Sequence, residues 1–142
     1  MRSAFLEQNS GATAGVKKKV VNVDAAITLT NDDSGKVYML SATGGTVAVT
    51  LPTSLEDGVY YKFVVEEETP SNAITIAAGS AIVSLVMKDA GGNASNSTVG
   101  TQVSNLVIGT SAQKGDYIDL MAAGVEWVGE CLSGIDDAVT TS

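Results

Sequence analysis

"VYYKFVVEEE", residues 59–68, decides the fold class. Successive side chains of an extended chain point to opposite faces. Val59, Tyr61, Phe63 and Val65 therefore share one face, and Tyr60, Lys62, Val64 and Glu66 share the other. Only the first set is wholly apolar or aromatic, so it turns inward and the stretch reads as the longest strand of a half-buried sheet.

The same pattern repeats on both sides of this strand. Upstream, "KVVNVDAAITLT" (19–30) gives one or two short strands, and "NDDSG" (31–35) is a turn that Asn and Asp cap and Gly closes. "KVYMLS" (36–41) follows, then "TVAVTLP" (46–52), in which Val47, Val49 and Leu51 alternate until Pro52 ends the ladder. "LEDG" (55–58) and "TPSN" (69–72) turn the chain on either side of the central strand. Downstream come "AITIAA" (73–78), "AIVSLVM" (81–87), a long surface loop over 88–102, and "VSNLVIG" (103–109). "DYIDLMAAGVEWVGECL" (116–132) reads as a hairpin turning near Ala123 and Gly124. Nine or ten short strands with frequent turns predict an all-β domain, a single β-sandwich of jelly-roll-like or barrel-like form spanning 20–132. The expected core includes Val47, Val49, Leu51, Phe63, Val65, Ile118, Leu120 and Trp127. Residues 1–19 read as an extended N-terminal arm, and 133–142 as a polar C-terminal tail that is again arm-like.

The charge is unevenly distributed. The chain of 142 residues carries a net −8. Residues 1–19 hold Arg2, Lys17, Lys18 and Lys19 against Glu7, a net +3, and the rest holds four basic residues against fifteen acids, a net −11. An acidic body repels phosphate backbones, so nucleic acid is not its expected partner. No apolar run approaches the ~20 residues of a membrane helix, and "MRSAFLEQNSGA" has no apolar core long enough for a signal peptide.

Little in the sequence points to catalysis. The chain has no histidine, which removes the commonest general base and rules out Ser–His and Cys–His nucleophile pairs. Cys131, the single cysteine, reads as a small half-buried thiol. The acids fall in three groups: Asp32 and Asp33 in a turn, Glu66 to Glu68 at a strand end, and Asp116 with Asp119 around Tyr117. Two acids suit a glycosidase and several suit calcium, but turn capping and solvated charge explain them better. No cofactor, metal or catalytic residue is expected. Trp127 reads as core, with a sugar-stacking platform as its other reading.

Several stretches together resemble a β-rich module of tailed-bacteriophage structural proteins. They are "ITLTNDDSGKVYMLSATGGTVAVTLP", "GVYYKFVV", "AITIAAGS" and "KGDYIDLMAAGVEWVGE". The residues that carry the likeness are Asp33 to Lys36, Leu51 and Pro52, Tyr61 to Val65, and Gly115, Asp116, Ile118, Leu120, Gly124 and Trp127, across about residues 26–130. Such modules occur in capsid decoration (cement) proteins and in head or tail fibres. The resemblance implies a non-enzymatic virion protein. One compact module with an arm, and without shaft repeats or a coiled coil, favours decoration over a fibre. The expectation is a protein on the outer surface of the capsid that binds the assembled major capsid protein through its arm. Extended, that arm spans roughly 60 Å. Its expected contacts are Arg2, Phe5, Leu6, Lys17, Lys18 and Lys19. The resemblance further implies a homotrimer, with Tyr60 expected at a subunit contact. The alternative is a head-fibre or tail receptor- or carbohydrate-binding domain using the 88–102 loop and exposed aromatics such as Tyr60 or Tyr117.

Overall fold

The computed structural model describes residues 17–79, 81–89, 102–135 and 137–142. Strands β1 (Val20–Val23), β3 (Val37–Leu40), β5 (Tyr60–Val65) and β7 (Ile82–Asp89) alternate along the chain with β2 (Ile27–Thr28), β4 (Val47–Thr50) and β6 (Ile74–Ala77). After them come β8 (Gln102–Val103), β9 (Asn105–Ile108), β10 (Tyr117–Ala123), β11 (Glu126–Ser133) and β12 (Val139–Thr141). They form two sheets. One has seven strands in the order β1-β3-β5-β10-β11-β7-β8, the other five in the order β12-β9-β6-β4-β2. The fold is an all-β sandwich. Its described helical content is a single 3-10 turn over Asn31–Asp33.

The chain enters this sandwich by winding. β1, β3 and β5 pair in parallel in the large sheet, and β2, β4 and β6 pair in parallel in the small one. Each turn of the winding lays one strand on each sheet. The β10–β11 hairpin then closes the large sheet: β10 runs antiparallel to β5, and β11 runs parallel to β7. β9 runs antiparallel to β6 and extends the small sheet. Alternation along a strand fixes which side chains are buried but not the direction of the neighbouring strand, so the parallel winding is absent from the sequence pattern.

The inward face of each strand builds the core. β5 alternates as the sequence predicts, with Tyr61, Phe63 and Val65 buried and Val59 buried just before it. Val47, Val49, Leu51, Ile118, Leu120 and Trp127 are all buried too. Tyr38 stacks on Phe63 at 5.6 Å between ring centroids, and Tyr61 lies 5.5 Å from Trp127. The two phenols tie this aromatic cluster to the 3-10 turn. Tyr61 donates to the Thr30 carbonyl at 2.7 Å and Tyr38 to the Asp33 carbonyl at 3.3 Å. Burial raises both hydroxyls, Tyr38 to about 12, so both stay protonated donors.

Two boundaries differ from the sequence expectation. The tail 133–142 is not arm-like. β12 pairs antiparallel with β9, and Ala138 and Val139 are buried against the core. Three strand residues are too few to display a period of two, and their burial depends on the edge that β9 offers. The stretch expected as a loop from 88 begins later, because β7 continues through Lys88 and Asp89, which pair with Leu132 and Ser133. Residues 90–101 lie outside the described residues.

Candidate functional site

The two outer faces of the sandwich are chemically unequal. On the five-stranded sheet the register places Ala48, Thr75, Val107 and Thr140 in one row, and Thr28, Thr50, Ala77 and Asn105 in the next. This face is short and mostly polar, which suits water. On the seven-stranded sheet the outward row across β5, β10 and β11 is Tyr60, Met121 and Val128. Two residues along, the row is Lys62, Asp119 and Glu130, and beyond it Val64, Tyr117 and Leu132. Of the five large apolar side chains exposed among the described residues, Val20, Met121 and Leu132 stand on this face.

A shallow depression of about 460 Å³ sits here, lined by Lys18, Tyr60, Lys62, Asp119, Met121 and Glu130 among others. Beside it, Gly129 of β11 lies close against the β10 backbone. A Cβ at that position would come within 1.8 Å of the Asp119 carbonyl oxygen. Cations cover the two aromatic rings. Lys62 Nζ stands 4.2 Å from the Tyr117 ring centroid and Lys18 Nζ 5.6 Å from that of Tyr60. Lys62 also approaches Asp119 Oδ2 at 3.8 Å, and the Tyr117 hydroxyl donates to Glu130 at 3.4 Å. Partial desolvation and the neighbouring Glu130 and Asp119 charges raise the Tyr117 hydroxyl, which stays a protonated donor.

The carboxylates that invited a catalytic or metal reading have other tasks. Asp116 is buried and accepts from the Gln113 amide at 2.9 Å, the Gly134 amide at 2.8 Å and the Ser133 hydroxyl at 3.1 Å. It ties the loop before β10 to the end of β11. Asp116 and Asp119 are three residues apart, so one faces in and the other out, and they do not share a site. Asp33 caps the 3-10 turn. It accepts from the Thr30 amide and hydroxyl, each at 2.9 Å, and from Lys36 Nζ. The Lys36 hydrogen bond, with that from the Thr30 amide, holds the Asp33 carboxyl below the ordinary range. The Ser41 hydroxyl donates to Glu67 at 2.6 Å. Among the described residues no three acids or thiols cluster as a metal site would require. Burial, then the Asp116 charge, pushes the Cys131 thiol up to about 12. Trp127 is fully buried, so it cannot serve as a sugar platform.

The arm residues divide. Arg2, Phe5 and Leu6 lie outside the described residues. Lys17, Lys18 and Lys19 are exposed. The Lys19 carbonyl already accepts from the Val37 amide at 2.9 Å, so the lysine run leads directly into the edge strand β1. Lys18 and Tyr60, widely separated in sequence, meet on the outer face of the large sheet. Sequence reasoning singled out Tyr60 but missed the unequal faces. Their signal was present in the outward positions of β10 and β11, where Met121, Val128 and Leu132 occupy sites that solvent usually fills with polar residues.

No protein-family model matches the chain, and no curated protein matches it.

Proposed function

We propose that this chain is a non-enzymatic decoration protein of a tailed-phage virion. It binds the outside of the assembled major-capsid-protein shell and stabilises it. The reading rests on the module resemblance and on one structural observation. A run of three exposed lysines leads into an edge strand of a sandwich whose body is strongly acidic. A cationic lead attached to a rigid acidic body is the arrangement a gripping arm needs. The acids that would otherwise suggest catalysis or metal binding are engaged in turn capping, loop anchoring and surface pairing. The glycan-binding alternative is weaker, because Lys18 and Lys62 cover the ring faces of Tyr60 and Tyr117 that a sugar would stack on.

The mechanism is mass action. A ligand that binds only the assembled shell stabilises it by RT ln(1 + [L]/Kd) per site, about 2.7 kcal/mol at a hundredfold excess over Kd. Thermal dissociation of undecorated shells, followed by light scattering, tests this. The transition should move upward with protein concentration and then saturate. A transition that does not move with added protein would rule the reading out.

A further inference from the structure

The outer face of the seven-stranded sheet carries a charge pattern with a geometric consequence. Lys18 and Lys62 lie on its β1–β5 side, and Asp119 and Glu130 on its β10–β11 side. Along the Lys62–Asp119–Glu130 row the sign changes between β5 and β10, the third and fourth of the seven strands; Glu66, on the same outward side, lies beyond the end of β5. Tyr60, Met121 and Val128 form the apolar row beside the charges. An isologous interface requires that when residue i touches j, j also touches i. A two-fold axis running along the strands between β5 and β10 meets that requirement. It lays Lys62 over the partner's Asp119 and, reciprocally, Asp119 over the partner's Lys62. The four charges then alternate in sign around a square. The same operation sets Tyr60 against the partner's Met121.

We propose that this face binds a second copy of the chain about that two-fold axis. The contact is sheet on sheet, with side chains interdigitating across about 10 Å. Six strands about 4.8 Å apart and some six residues long present on the order of 600 Å² of face. That is the same order as the ~800 Å² per partner of a standard interface. The short, mostly polar face of the other sheet has neither the apolar row nor the change of sign, so only one side of the sandwich is suited to pairing. The homotrimer implied by the module resemblance would join unlike surfaces around a ring, whereas this face complements itself and closes as a pair. The proposal does not depend on a capsid partner.

Sedimentation velocity on the full chain, without shells, tests it. The wild type should sediment at twice the 14.4 kDa chain mass. Lys62→Glu and Asp119→Lys should each weaken pairing by about tenfold or more, because each sets like charges opposite one another. An equimolar mixture of these two variants should recover the doubled mass, since a chain negative at both positions then faces one positive at both. Met121→Glu, which leaves the Lys62–Asp119 pair intact, should be monomeric while keeping the near-ultraviolet dichroism of buried Trp127. A wild type that runs as a monomer or a trimer overturns the proposal. So do three variants that keep the wild-type mass, or a mixture that fails to recover it.

Discussion

Asp116 shows how a single carboxylate is assigned by its surroundings. In the sequence it lies close to Asp119 and invites a two-acid reading. In the fold it faces inward and receives two backbone amides and a hydroxyl. Removing it leaves the part-buried Gln113 and Gly134 amides without this acceptor, at about 1–3 kcal/mol per orphaned group. Asp116→Ala should therefore lower the unfolding free energy by about 3 kcal/mol in urea titration, with little change in the slope. Cys131 gives a second test at this scale. With its thiol held up to about 12, native protein at pH 8 should react with a disulfide reagent about a thousandfold or more slower than an ordinary cysteine. Unfolding should restore the ordinary rate. The sign carries over to stability. A raised thiol contributes fully below its unfolded value near 8.5, and that contribution is lost as the pH rises toward 12. Gly129 is constrained by space alone. Gly129→Ala drives a methyl into the Asp119 backbone and should destabilise by at least ~2 kcal/mol. The sequence gives no sign of this constraint, because the clash comes from a paired strand.

At the scale of elements, legibility follows from period and length. β5 and the β10–β11 hairpin are long enough to display two or three inward residues each, and their burial follows the alternation. The "NDDSG" turn is legible for a chemical reason: Asp33 caps the turn from its own side chain. That cap has a pH signature. The folded carboxyl is held below its ordinary value, so its contribution is complete above about pH 4 and is lost as the pH falls through the lowered value. Asp33→Asn should flatten this part of the acid limb of stability against pH. β12 and the parallel winding were not legible. β12 is buried because β9 offers it an edge, and strand direction is set by connections across two sheets. Deleting 136–142 takes the buried Ala138 and Val139 out of the core and bares the β9 edge, so this truncation should lower the thermal midpoint by several degrees.

At the scale of the whole molecule, the body and the lead-in to it differ in sign. The sequence makes this plain: residues 1–19 carry +3 and the remainder −11. The structure adds that the lysines enter at an edge strand beside the more apolar of the two outer faces. Its small, threonine-rich counterpart is suited to water. A decoration role needs only such a body and a grip, and the stabilisation it gives multiplies over many copies on a shell. The decisive test of that role is co-sedimentation with purified undecorated shells, comparing the full chain with a chain lacking residues 1–19. Saturable pelleting of the full chain is expected, with at least a tenfold loss of affinity on removing residues 1–19. A full chain that stays in the supernatant at every concentration would exclude the role.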